Sequence, residues 1–376
     1  METKFDAPAP AARGDIIAVK IGSNVLTRPD GTLDITRLSH LADQIAALHR
    51  RGVAVILISS GAVASGRSEL RHHLPEGEGH RLDPVSQRQL YSAVGQAKLI
   101  NRYFDLFREH NIPCGQVLTT KESFSTRRHY LNQQNCIATM LAAGVIPIVN
   151  ENDTVSVTEL MFTDNDELSG LIATMMKASR LIILSNIDGV YTGDPSLPSS
   201  RLVEVIEPGA DLTGAISTSR STNGRGGMAT KYRIASRVAA EGIPVTIANG
   251  TRTNILLDLL DHPSSVPSTT FVAASSRPSS VKNWIGASEG FAKGRVTVND
   301  DAARALTGPE GVSLLPVGVT AVDGAFERGD IITVVDPAGR TIAIGRAAVD
   351  SATATATMGA HGERYIIHAD YLYINV

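Results

Sequence analysis

The sequence predicts an α/β protein: an open, mostly parallel sheet sandwiched by helices, followed by a small β-barrel-like domain. Residues 16–248 repeat one pattern, a short β-branched run, a turn and a helical stretch. The runs are nearly all apolar, as parallel strands buried on both faces are. From about Trp284 the pattern changes to short strands separated by Gly turns. At 376 residues the chain is long for one core, which fits two domains.

In chain order, the expected strands are Ile16–Ile21, Val53–Ser59, Ile112–Leu118, Val145–Val149, Leu181–Leu184 and Ile243–Ala248. Helical patterns fill the gaps at 34–51, 86–110, 128–143, 166–178 and 228–241. Gly52, Asn111, Gly144 and Gly242 each precede a strand and read as helix C-terminal signals. Residues 1–14 are Ala/Pro-rich, carry both charge signs and lack the apolar core of a signal peptide, so they read as a disordered tail. The first domain then spans 15–262. Residues 263–281, rich in Ser, Thr and Pro, read as a linker, and 282–374 as the second domain. Its expected strands are Gly294–Val298, Gly311–Leu315, Asp330–Val335, Thr341–Arg346 and Tyr365–Ala369, with a helical pattern at Asp300–Leu306.

Composition excludes several classes. Hydrophobic residues make up 43% and charged residues 19%, ordinary for a soluble globular protein. A net charge of -3 gives no global attraction to nucleic acid or to an anionic membrane. No apolar run approaches the roughly 20 residues needed to span a bilayer. Cys114 and Cys136 are too few for a disulfide framework, which fits a cytoplasmic location. No His or Cys stands at metal-ligand spacing, so no protein-built metal site is expected. The ten histidines are scattered, and no Ser–His–Asp arrangement can be picked out.

In open α/β sheets ligands bind beyond the carboxyl ends of the strands, and each such loop here carries polar or charged residues. Lys20, near the end of the first strand and followed by Gly22, either meets an anion or snorkels to the sheet edge. Ser60-Gly61-Ala62 opens a helical stretch, as an ordinary N-cap or an anion site. Asn150-Glu151-Asn152-Asp153 follows the fourth strand. It is either an Asx-turn cluster or a receptor in which Asp153 takes an ammonium group and the asparagines hydrogen-bond ligand. Thr163-Asp164-Asn165-Asp166-Glu167 opens the next helix, as a well-charged first turn or as a second carboxylate cluster facing ligand, lysine or metal. Asn223-Gly224-Arg225-Gly226-Gly227-Met228 is a glycine-rich loop running into a helix with Lys231 in its first turn. A lysine there opposes the helix dipole unless an anion lies between.

Two lysines and a glycine-rich helix start suit the transfer of a phosphoryl group. The acceptor these loops suit best is a carboxylate, because it is already ionised and needs no general base. The ordered segments Val19-Lys20-Ile21-Gly22-Ser23-Asn24-Val25-Leu26-Thr27, Ser60-Gly61-Ala62, Ala93-Val94-Gly95-Gln96, Asn150-Glu151-Asn152-Asp153, Asp164-Asn165-Asp166 and Gly226-Gly227-Met228-Ala229-Thr230-Lys231 together resemble the amino acid kinase family. The likeness runs from about residue 15 to 340 and is to the members that phosphorylate the side-chain carboxylate of L-glutamate, the first step of proline biosynthesis.

The resemblance implies ATP and magnesium (Mg2+) as cofactors, with Lys20 and Lys231 on the phosphates and Asp166 orienting both lysines. It implies Ser60, Asp153, Asn165 and Asn150 around glutamate. It also implies Arg225, Gly226, Gly227, Met228, Ala229, Thr230 and Lys231 on the nucleotide side, with Ser185 and Asn186. Proline as feedback inhibitor and a homo-oligomer follow from the same likeness. Trp284, Gly294, Ser313-Leu314-Leu315-Pro316-Val317-Gly318 and Gly324-Ala325-Phe326-Glu327-Arg328-Gly329-Asp330 resemble a PUA domain. Two features depart from the family: Ser185-Asn186 stands where Thr-Asp is usual, and the tail beyond about residue 348 matches poorly and is assigned no role.

PUA domains elsewhere bind RNA, so an RNA-interacting protein with a degenerate kinase domain is the rival from another class. Residues 281–376 hold eight Lys/Arg against eleven Asp/Glu, a net of -3, the wrong sign for a nucleic-acid surface. Within the kinase class, aspartate or N-acetylglutamate are alternative acceptors, and Asp153 as an ammonium ligand disfavours an N-acylated one.

Overall fold

A computed structural model describes residues 15–71, 73, 82–155, 162, 164–212, 227–275, 280–308, 311–362 and 364–374. The chain divides into two compact units, one from the chain up to Glu122 with Leu131–Arg277, the other from Ser123–Tyr130 with the chain from Pro278 onward. The expected tail at 1–14 lies outside the described residues.

In the first unit the strands are β1 (Ile16–Ile21), β2 (Ala54–Ser59), β3 (Cys114–Thr119), β4 (Ile146–Glu151), β5 (Arg180–Ser185), β6 (Val205–Ile206), β7 (Val245–Asn249) and β8 (Ser268–Phe271). They form one sheet in the order β3-β4-β2-β1-β5-β7-β8-β6, in which only the β7–β8 pair is antiparallel. Its helices are α1 (Ser23–Leu26), α2 (Ile35–Arg50), α3 (Ala62–Leu70), α4 (Pro84–Glu109), α5 (Arg127–Ala142, from Leu131 onward), α6 (Asn165–Met175), α7 (Met228–Ala240) and α8 (Ile255–Asp261). The apolar runs of β1, β2, β4 and β5 are buried on both faces, with Ala18, Val19 and Ile21 of β1 and Ile56, Leu57 and Ile58 of β2 fully inaccessible. Against them pack Leu38, Leu41 and Ile45 of α2 at helical spacing, and Leu99, Tyr103 and Phe107 of α4. Edge strand β3, by contrast, leaves Gln116 and Leu118 exposed.

Local chemistry sets the element ends. Asp34 caps α2 by accepting from the Arg37 amide, and Asp83, ahead of Pro84, caps α4 through the amides of Val85 and Ser86. Two glycines fix how α4 sits. A Cβ on Gly66 would fall 1.8 Å from the Tyr91 carbonyl oxygen, and one on Gly95 would fall 1.8 Å from that of Ala62. The α3 and α4 backbones therefore touch, which holds α4 where Arg88, Ser92 and Gln96 reach the end of β4.

The expected linker at 263–281 is corrected in part by β8, which adds to the main sheet at 268–271. The Ser/Thr-rich run conceals a two-faced strand in which Thr269 and Phe271 are buried. Thr269 Oγ1 also donates to the Val203 carbonyl and accepts from the Val190 amide. Its period-2 signal is carried by threonine rather than by a hydrocarbon.

The second unit contains α9 (Ser280–Ala287), β9 (Gly294–Val298), α10 (Asp300–Thr307), β10 (Val319–Asp323), β11 (Ile331–Val335), β12 (Thr341–Arg346), α11 (Ser351–Thr357) and β13 (Leu372–Ile374). Its five-stranded sheet runs β10-β9-β11-β12-β13, with Val296, Val298, Ile332, Val334 and Ala343 in its core. The strands expected at 311–315 and 365–369 reduce to one bridge, Leu314 to Ile367. The tail beyond 348, given no role from sequence, completes this core. Asp350 caps α11, Ala354 is buried, and Leu372 pairs with β12. Among the described residues no helix is long and apolar enough to cross a membrane.

Candidate active site

The carboxyl ends of β1, β2, β4 and β5 and the first turns of α6 and α7 open onto one cavity of about 750 Å³. Lys20, Ser60, Asn150, Asp153, Asn165, Asp166, Ser185, Asn186, Gly227, Met228 and Lys231 all line it. Ala229 and Thr230 sit on α7 but are not among the lining residues, and Arg225 and Gly226 lie outside the described residues.

At one end a buried carboxylate stands between two ammonium groups. Lys20 Nζ lies 2.5 Å from Asp166 Oδ1 in an ion pair, and Lys231 Nζ donates to Asp166 Oδ2 at 2.8 Å. Asp166 is completely buried and Lys20 is 4% exposed, so both charges depend on each other for solvation. Burial alone would push the Asp166 carboxyl up, but Lys20 and Lys231 overcome it and hold the group below the ordinary carboxylate range. Burial, aided by the like charge of Lys231, pulls the Lys20 ammonium down. Lys231 is also desolvated, yet Asp166 outweighs that and raises it. Gly22 keeps this corner tight, because its amide donates to the Leu184 carbonyl at 3.0 Å and a Cβ there would come within 3.1 Å of the same oxygen.

Asp164 lies beside this trio. Its Oδ1 caps α6 by accepting from the Asp166 and Glu167 amides, while its buried Oδ2 has no hydrogen-bond partner among the described residues. Burial and the neighbouring Asp166 push its carboxyl up to about 6. Asp164 lines the cavity, and a desolvated carboxylate oxygen left without a partner is an available cation acceptor.

The middle of the cavity is neutral and hydrogen-bonded. Asn165 Nδ2 donates to Asn150 Oδ1 at 2.9 Å and to Ser60 Oγ at 3.0 Å, and Asn150 Nδ2 donates to Gln96 Oε1 at 2.9 Å. Gly61, the N-cap of α3, has φ of 108°, a left-handed conformation that explains glycine there.

The far end inverts the charge pattern. Arg88 Nε donates to Asp153 Oδ1 at 2.6 Å, Arg88 Nη2 donates to Glu151 Oε2 at 3.1 Å and also pairs with Asp153 Oδ1. Asp153 Oδ2 accepts from Ser92 Oγ at 3.0 Å, and Glu151 Oε1 accepts from the Phe162 amide at 2.9 Å. Asp153, expected as a bare ammonium receptor, therefore carries a guanidinium of its own chain. Arg88 and Gln96 were not in the sequence-based site. Their signal is helical spacing: 88, 92 and 96 lie on one face of α4, and buried carboxylates at 151 and 153 require a cation.

Of the pair expected on the nucleotide side, Ser185 is buried and Asn186 is exposed. Asp188 and Arg252 form a two-pronged pair of 2.9 and 3.0 Å just beyond them, which holds Asp188 below its usual range. Among the described residues no group of three His, Cys, Asp or Glu could hold a metal.

A profile of the amino acid kinase family matches residues 15–249, and one of the PUA domain matches residues 294–368. A glutamate 5-kinase of Bacteroides thetaiotaomicron is 60% identical, covering 95% of this chain and 98% of that protein. A glutamate 5-kinase of Chlorobaculum tepidum is 45% identical, covering 95% and 97%. Among solved structures, carbamate kinase from Giardia lamblia bound to AMP-PNP superposes with a TM-score of 0.51 at 15% identity, over 70% of this chain and 100% of that one, a likeness of fold. The chain therefore belongs to the amino acid kinase family, among the glutamate 5-kinases, and carries a PUA domain after the kinase domain.

Proposed function

We propose that this protein transfers the γ-phosphoryl group of ATP to the side-chain carboxylate of L-glutamate, giving L-glutamyl 5-phosphate and ADP, the first step of proline biosynthesis. The observation that carries this is one cavity with two lysines, Lys20 buried and Lys231 partly so, on a shared carboxylate at one end and two carboxylates around an arginine at the other. Such a cavity suits a substrate with an anion to phosphorylate and a distant ammonium to be held.

A carboxylate oxygen of glutamate attacks the γ-phosphorus, and the bond from that phosphorus to the β-bridging oxygen breaks with its electron pair going to ADP. No proton moves, so no general base is needed. Lys20 and Lys231 offset the charge of the two converging anions, and Asp166 fixes their ammonium groups. Ser60, Asn150 and Asn165 orient glutamate and Asp153 receives its ammonium. Arg225, Gly226, Gly227 and Met228, with Ser185 and Asn186, face the nucleotide, and Ala229 and Thr230 carry that loop into α7. Asp164 would help hold a bound magnesium ion, which would supply positive charge to offset that of the phosphates. The unpartnered Asp164 Oδ2 fits such an ion, which typically takes one or two carboxylates and keeps several waters. Family membership supports proline as feedback inhibitor, a homo-oligomer and a cytoplasmic setting as further parts of the proposal.

The test is ATP- and magnesium-dependent acyl-phosphate formation, trapped as hydroxamate, with glutamate, aspartate and N-acetylglutamate compared. Product formed selectively with glutamate is the expected result. Folded protein that yields none with any acceptor would overturn the reading.

A further inference from the structure

The glutamate-phosphorylating reading assigns the substrate ammonium to Asp153, and the following inference rests on it. Arg88 uses one edge of its guanidinium, Nε and Nη2, on Asp153 and Glu151. The remaining nitrogen, Nη1, has no protein partner among the described residues. The side chain is 21% exposed and lines the same cavity as Asn150 and Asn165. Guanidinium carries five N–H donors in a rigid plane. Two of them remain on Nη1, and they are fixed in direction by the ion pairs made on the other edge.

Covalent geometry links this free edge to the substrate. In any α-amino acid the ammonium nitrogen and the nearer α-carboxylate oxygen are held roughly 3 Å apart by two bonds to the same carbon and one C–O bond. An ammonium seated on Asp153 therefore brings its α-carboxylate into the immediate neighbourhood of the guanidinium that Asp153 already holds. An anion brought beside Glu151 and Asp153 is repelled by both unless a cation faces it. Of the lining cations, Lys20 and Lys231 are engaged at the opposite end with Asp166, and Arg67 is exposed with its guanidinium 5.7 Å from the Tyr91 ring centroid.

We propose that Arg88 is a substrate-binding residue that receives the α-carboxylate of the acceptor amino acid on Nη1, so that Arg88 and Asp153 together clamp the zwitterionic end. Specificity follows from this arrangement. An acceptor must present a free ammonium and a free carboxylate on one carbon, and its second carboxylate must reach the two lysines.

The test compares L-glutamate with its α-carboxamide, L-isoglutamine, which keeps the ammonium and the reacting side-chain carboxylate. Wild-type protein should favour glutamate on the order of 100-fold in kcat/KM, the usual cost of leaving one member of a buried charge pair alone. Arg88→Met should raise the KM for glutamate by a similar factor, with kcat and the KM for ATP within about threefold and isoglutamine hardly changed, so that the preference collapses. Arg67→Met should leave the preference intact. Equal losses with both substrates would make Arg88 only a support for Asp153 and overturn the proposal, as would collapse in the Arg67 variant. A wild-type enzyme that phosphorylates both amino acids equally would also overturn it. A wild-type enzyme that phosphorylates neither would instead sink the reaction itself, so the two failures are distinguishable. Thermal melting checks that Arg88→Met folds. Should it not, Arg88→Lys, which keeps the charge but not the planar edge, is expected to retain only about a tenth of the preference, and an unchanged preference in it would refute the clamp.

Discussion

The two ends of the active-site cavity are built from the same kind of unit with the signs exchanged. At the β1 end one carboxylate, Asp166, sits between two ammonium groups, which leaves a net charge of +1 from one negative and two positive groups. At the β4 end one guanidinium, Arg88, sits between two carboxylates, which leaves -1 by the same count. In each case the central group pre-organises the outer pair; the unmatched charge at the β4 end is open to ligand, and that at the β1 end is shared with the neighbouring Asp164. Between them Ser60, Asn150 and Asn165 are neutral and bonded to one another. A substrate that is anionic at one end and ammonium-bearing at the other satisfies both units at once, and neither unit alone selects it.

Breaking the cationic unit should have the largest effect. Lys231→Ala removes one of the two charges proposed to face the transferred phosphoryl group and leaves Lys20 with Asp166 in a neutral pair. The expected loss in kcat is about a thousandfold, comparable with deleting an electrostatic donor at a transition state. Lys20→Ala should do the same and destabilise the protein more, since Lys20 is the more deeply buried partner. Steady-state kinetics on folded variants measures it, and a kcat within a few-fold of wild type would remove that lysine from the chemistry.

Breaking the anionic unit should act on binding instead. Asp153→Asn keeps the shape and the bond from Ser92 but leaves the unit without its unmatched charge. The KM for glutamate should rise about 100-fold, while kcat and the KM for ATP change little. A fall in kcat with an unchanged glutamate KM would show that the two ends do not divide the work in this way.

The cationic unit was more legible in sequence than the anionic one, for a physical reason. Lys20 stands out because a charge inside an apolar β-branched run is conspicuous, and Lys231 because a cation in a helical first turn opposes the dipole. Arg88 does neither: on α4 it is one polar residue among several in Ser86-Gln87-Arg88-Gln89. Only the contact of α3 with α4 at Gly66 and Gly95 reveals that this face of the helix meets the end of β4. The parallel strands were readable from their nearly all-apolar runs. Thr269 in β8 and the Ala/Thr helix α11 were not, because small and hydroxylated residues carry their burial without a hydrophobic signal. In the second unit β10 at Val319–Asp323 escaped for a similar reason, since its burial is uneven and the strand is broken by a register shift.

The smallest effect should come from Asp164, which sits against the cationic unit without belonging to it. Its carboxyl is pushed up to about 6 by burial and by Asp166, against an ordinary value of 3.8. A carboxyl raised in the folded state favours folding only while it is protonated. Its contribution is complete below about pH 4 and is lost as pH rises through about 6. At pH 7.5 the ionised Asp164 therefore opposes folding by up to about 3 kcal/mol, the free-energy equivalent of such a shift. Asp164→Asn removes that ionisation and keeps a side-chain oxygen to cap α6, at a modest loss of charge–dipole attraction. The variant should be more stable than wild type by roughly 2 kcal/mol at pH 7.5, with the gap narrowing by pH 5, in urea unfolding at both values. Saturating ATP with magnesium should narrow it too, because a bound cation rewards the carboxylate and not the amide. A gap that is absent at pH 7.5, or that widens on acidification, would mean that Asp164 is not held ionised against its surroundings, and that the cationic unit ends at Asp166 and its two lysines.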